Sequence, residues 1–259
     1  MRVIDVESFH EKWALTIKVL FLIVIPGLLV QYYVRSNGWN ILDMNIIIAS
    51  LLTGAVFLIG FMLAGILQDF KDSEQLLGSI ASAILSFQDH NRIEPNRQNR
   101  KALLAVLIKL TETVKKWIEE KVRVETVYGQ LNGLNKHFAK FSVKESFSWM
   151  EETQKGLRQD IMRIHVIKET MFIKAGYTIM EIISAAVIVL IVFSKTDTFI
   201  LGAATYAASS FTLVYMILLI RDMDDPFEFT ANGTKKGAAE VSMIPIDETI
   251  RILKDELKA

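Results

Sequence analysis

The sequence predicts an all-α membrane protein, with four transmembrane helices and a helical domain inserted between the second and the third. Three observations carry this. Of the 259 residues, 51% are hydrophobic, and the mean hydropathy is positive, which is unusual for a soluble chain of this size. Ile46 to Leu67 is an apolar run without a charge. At ~1.5 Å of rise per helical residue it can cross a hydrocarbon core of ~30 Å, which takes about 20 residues. Charges then become frequent from Gln68 to about Lys174, before two further apolar runs.

The first span is expected at about Trp13 to Val34, with Trp13 and the pair Tyr32-Tyr33 where interfacial aromatic belts sit. Pro26-Gly27 predicts a kink near its middle, because proline removes a donor and crowds the preceding turn. Lys18 lies close enough to the span's end for its ammonium to snorkel to the interface. A short link from Arg35 to Asp43, with Asn37-Gly38, leads to the second span. Nothing between Gly65 and Gly78 breaks a helix there, so the second span is expected to continue through Ile80, Ile84 and Phe87.

The segment after it carries eighteen Lys and Arg against fourteen Asp and Glu, and the positive-inside rule then places it in the cytoplasm. Leu103, Leu104, Leu107, Leu110, Val114 and Trp117 form one apolar stripe, and Leu157, Ile161, Ile164, Ile167 and Met171 another, both at helical spacing. Breaks are expected at Asn91 to Asn99, around Pro95, and at Gly129 to Gly133. The third and fourth spans, about Ala175 to Phe193 and Thr198 to Ile220, are joined by the turn Ser194-Lys-Thr-Asp197 and must be antiparallel neighbours. Ala203, Ala204, Ala207 and Ala208 offer small surfaces for close approach in the fourth. An even number of spans returns both termini to the cytoplasm. The tail from Arg221 carries nine acidic against six basic residues and ends in a helix with Ile246, Ile250, Leu253 and Leu257 on one face. Its sign is opposite to that of the insert, so the two are expected to dock. The domain plan is therefore 1–68 for the first helix pair, 69–174 for the inserted helices, 175–220 for the second pair and 221–259 for the tail.

Within the second span Thr53, Phe57 and Phe61 recur every four residues and share one face, while Gly54, Gly60, Ala64 and Gly65 supply small surfaces. A stripe of one hydroxyl and two rings suits a pore or a partner, and it also suits packing against neighbouring helices. Glu181, about two turns inside the third span, is an intramembrane carboxylate, to be read as functional or as paired with Lys18.

Several chemistries lack their residues. There is no cysteine, so disulfides, thiolate metal sites and a thiol nucleophile are excluded. No phosphate-binding glycine loop, zinc helix or serine elbow is present, His10, His90, His137 and His165 are dispersed, and no enzyme activity is expected. Charge is balanced, and no basic run interleaved with aromatics suggests nucleic acid. Asn232-Gly-Thr234 fits a glycosylation sequon, inert on the cytoplasmic side. Asp222-Met-Asp-Asp-Pro-Phe-Glu228 follows the fourth span directly. Carboxylates at this density can wrap calcium through side-chain and backbone oxygens, or form a solvated acidic turn.

Gly54-Ala-Val-Phe-Leu-Ile-Gly-Phe-Met62, the helical insert, the tight third and fourth helices, Asp224-Asp-Pro-Phe227 and the tail Gly237-Ala-Ala-Glu-Val-Ser-Met-Ile-Pro-Ile246 together resemble the bestrophin-like integral membrane proteins, relatives of bestrophin channels. The resemblance implies a pentameric ion channel in the cell membrane, with the second helices lining the pore. It implies an apolar neck at Thr53, Phe57 and Phe61, and calcium at Asp222, Asp224, Asp225 and Glu228. Two departures stand out: Gln68-Asp-Phe-Lys-Asp-Ser-Glu-Gln75 replaces an Arg-Trp-rich sequence, and Thr53 stands where bestrophins carry an isoleucine. Anions are mildly favoured over cations, because ring edges carry partial positive charge and the stripe holds no carboxylate. Three readings follow: an oligomeric channel, chloride-conducting by preference; a membrane-anchored scaffold or sensor; and a small transporter using Lys18 and Glu181.

Overall fold

A computed structural model describes residues 13, 15–43, 46–141, 145–170, 174–229 and 239–258. The sequon at Asn232 and the histidine at position 10 lie outside them. Among the described residues four helices are long and apolar enough to cross a membrane, Leu15–Ser36, Ile46–Ile93, Ala175–Val192 and Phe199–Asp224, and the chain is a multi-pass membrane protein. It divides into two compact units.

The first unit holds α1 (Leu15–Ser36), the part of α2 (Ile46–Ile93) up to Gln68, α7 (Lys174–Val192) and α8 (Phe199–Asp224). The expected disturbance at Pro26 takes the form of a π-helical turn over Leu20–Val24, in which Ile25 N donates to Leu20 O. A proline ring cannot sit against the carbonyl four residues back, and widening the preceding turn by one residue relieves that contact. Gly27 then lets α8 approach. A Cβ there would lie 1.6 Å from the Tyr206 hydroxyl, which donates to Ile23 O at 3.3 Å. The face of α8 that is buried carries Gly202, Tyr206, Ser210 and Leu213. The close approach expected at the four alanines is therefore made one turn face away, where Gln31 Nε2 reaches Gly202 O at 3.1 Å. The two links pair as short parallel strands, β1 (Leu42–Asp43) and β2 (Ser194–Lys195), and Arg35 donates to Thr196 Oγ1 at 3.1 Å.

The second unit holds α2 from Asp69 onward, α3 (Arg97–Ile118), α4 (Val124–Gly133), α5 (Asn135–Phe138), α6 (Glu145–Glu169) and α9 (Ile244–Lys258). Pro95 separates α2 from α3, and Asn96 caps α3 by accepting from Gln98 N and Asn99 N at 2.9 and 3.2 Å. The second expected break is met at its end, since α4 closes at Gly133 and α5 begins at Asn135, and a further break precedes it. The chain turns between α3 and α4 through Glu120, at φ 60°, and Gly129 lies inside α4. Both apolar stripes enter one core, with Ile80, Ile84 and Phe87 of α2, Leu107 and Leu110 of α3 and Ile161 of α6, while Met171 of the second stripe lies outside the described residues. Phe87 stacks on Phe138 with ring centroids 5.5 Å apart. The tail helix α9 packs on α3, adding Ile246 and Leu253 to that core and pairing Lys254 with Glu112 and Lys115 with Asp247.

Candidate pore helix and acidic turn

An α-helix turns about 100° per residue, so a row spaced by four drifts slowly and stays on one face. On α2 that face and its opposite differ sharply. Phe57 is 76% exposed and Phe61 72%, with Thr53 exposed beside them, whereas Ala55, Ile59, Met62 and Ile66 are buried. Within this chain the rings therefore do not pack between helices. A Cβ built on Gly54, Gly60 or Gly65 would meet nothing, so those glycines accommodate no neighbour inside the subunit either. The Thr53 hydroxyl donates back to Ala49 O at 2.9 Å. Its proton is used within the helix, and only its oxygen lone pairs and methyl group remain to face outward.

Glu181 pairs with Arg221 of α8, which also lies over the Tyr177 ring, its guanidinium carbon 5.7 Å from the centroid. Its partner is thus not the expected Lys18, which is exposed on α1. Arg221 is the one basic residue of the last turn of α8, and that antiparallel placement was the available signal.

The acidic run is divided. Asp222 and Asp224 end α8, while Asp225 and Glu228 belong to the second unit. There Phe227 is fully buried in the core, and Val241 N donates to Pro226 O at 2.9 Å, so the Asp-Pro-Phe sequence anchors the chain after α8. Burial raises the Asp225 carboxyl above the ordinary aspartate range, a hydrogen bond from the Phe227 amide partly offsetting it. The charge of Lys168 in α6 acts against that rise. Its ammonium is largely buried, donates to Ile118 O at 2.9 Å and lies 3.6 Å from Glu120, and burial lowers its proton affinity. No sequence pattern announced Lys168. Among the described residues no three His, Asp or Glu side chains gather as a metal set, so the fit of a metal to this turn is not supported by its geometry.

No protein-family model and no curated protein matches the sequence. Solved structures do. A mutant of a bacterial bestrophin homolog from Klebsiella pneumoniae is 15% identical, with a TM-score of 0.77, over 93% of this chain and 100% of that one. The same homolog in another crystal structure gives 14% identity and a TM-score of 0.72 over 94% and 97% of the two chains. A structure described only as a membrane protein gives 14% and 0.72 over 98% and 99%. At these identities the likeness speaks for architecture, and the architecture of this chain is that of the bestrophin homologs.

Proposed function

We propose that this chain is the subunit of an oligomeric ion channel whose pore is lined by α2, with Thr53, Phe57 and Phe61 as its neck. One observation carries the reading: in a helix with a buried face, the two rings stand outside the subunit in line with a threonine. An uncovered aromatic face on a spanning helix can meet lipid, and in line with a threonine it also suits a second surface or a narrow, poorly wetted passage. Copies of this chain around an axis provide both. The bestrophin-like fold supports a ring of five, in the cell membrane with the inserted helices and both termini in the cytoplasm. Phenylalanine ring edges favour an anion in the neck, and the Thr53 proton, spent on Ala49, adds nothing to that preference.

The test is a planar-bilayer recording of the reconstituted protein across a KCl gradient, with calcium and then with a chelator. A current reversing near the chloride potential is the expected result, and one reversing near the potassium potential would replace anions by cations. Loss of current on chelation would support calcium at the acidic turn. Silence from folded, inserted protein would refute the channel and leave a membrane-anchored scaffold.

A further inference from the structure

A cleft of about 380 Å³ opens between the end of α3, the start of α4 and the last turns of α6, entirely within the second unit. Its volume is at the lower end of the ~300–1,000 Å³ range of small-molecule sites. Trp117 of α3 forms part of the wall and is only 4% exposed. Its indole N–H is the one polar group of that side chain, and it meets no acceptor among the described residues. It is not one of the side-chain atoms that are buried without a partner, so the small part of Trp117 that is exposed includes it. An otherwise buried ring thus turns an unused donor toward the cleft.

The start of α4 asks for the same kind of group. Its N-cap, Arg123, gives the first amides no side-chain acceptor, and Thr126 N turns back onto Arg123 O at 3.1 Å, which leaves the amides of Val124 and Glu125. The Arg123 guanidinium also lines the cleft and pairs with no carboxylate among the described residues. Lys168 is different: it donates to Ile118 O at 2.9 Å and lies 3.6 Å from Glu120, so those two charges already answer each other. An indole N–H, a guanidinium and an uncapped helix start together call for an anionic acceptor. Glu125 and Glu169 line the same cleft and form no ion pair among the described residues, and they call for a cation. A simple anion would meet two uncompensated carboxylates, and a simple cation would leave Trp117 and Arg123 unanswered.

We infer that this cleft binds a small zwitterion of amino-acid size. Its carboxylate accepts from Trp117 Nε1, Arg123 and the first amides of α4, and its ammonium donates to Glu125 and Glu169. The site does not depend on conduction.

The experiment is a thermal-shift screen of the full-length protein in detergent against each of the common amino acids, followed by titration calorimetry with the strongest binder, its methyl ester and its N-acetyl derivative. Saturable binding of at least one amino acid is expected, and loss of either of its charges should lower the affinity ~10-fold or more. Arg123→Gln and Glu125→Gln should each weaken binding to a similar extent. Both positions are exposed and unpaired, so the melting temperature without ligand should hold. Trp117→Phe keeps a ring in the wall, removes the N–H and should also weaken binding. Absence of saturable binding by every amino acid overturns the inference. So does an ester or N-acetyl derivative that binds as tightly as the parent, or unchanged affinity in the folded Arg123→Gln and Glu125→Gln variants.

Discussion

Phe57 and Ile59 stand two residues apart on α2, about 200° around the helix from each other. The first is 76% exposed and the second 2%. Truncating a fully buried phenylalanine to alanine costs ~3–5 kcal/mol and a buried isoleucine ~2–5 kcal/mol. Only about a quarter of Phe57 is covered by its own subunit, which scales that figure to roughly 1 kcal/mol for Phe57→Ala. Ile59→Ala should bear the full cost. For a chain of this size about 1 kcal/mol moves the melting temperature by ~2–4 °C. Solubilised Phe57→Ala should thus melt close to the parent, while Ile59→Ala melts lower by at least about twice that shift. In bilayers Phe57→Ala, and likewise Phe61→Ala, should raise open probability, since shortening the ring widens an apolar constriction and eases its wetting. Equal destabilisation by Phe57→Ala and Ile59→Ala would put the ring in the subunit's packing. Unchanged currents in both phenylalanine variants, or their dissociation to monomers, would remove the neck.

Gly27→Ala places a Cβ 1.6 Å from the Tyr206 hydroxyl. It should destabilise the first unit by ~1–3 kcal/mol, as overpacking does, and Tyr206→Leu in the same chain should recover most of the loss; additive losses in a double-mutant cycle would refute the contact. Phe87→Ala empties a fully buried position against Phe138 and should cost ~3–5 kcal/mol, read as a lowered denaturation midpoint. The Asp225 carboxyl, raised by burial, holds a proton in the native state that the unfolded chain has already released. Its contribution to stability is therefore full below the ordinary aspartate value and lost as pH rises through the raised folded one. Asp225→Asn should flatten that part of the melting profile between acid and neutral pH, and an unchanged slope would show the carboxyl to be solvated.

Four spans, the helical insert and the bestrophin-like architecture were legible in the chain itself. Hydrocarbon thickness fixes the length of an apolar run, as at Ile46 to Leu67, and helical periodicity fixes which residues of α3 and α6 face inward. Such signals are local and survive without knowledge of any partner. The stripe of Thr53, Phe57 and Phe61 was legible as a stripe, but periodicity gives a face without saying what lies opposite it. Only the packing of Ile59 and Met62 decided that the rings point away from their own subunit. Pairings between distant segments were equally out of reach. Glu181 meets Arg221, Lys168 meets Ile118 O and Glu120, and α8 approaches α1 at Gly202 and Gly27 instead of its alanines. Each depends on how helices far apart in the sequence cross, and no spacing along one helix encodes that.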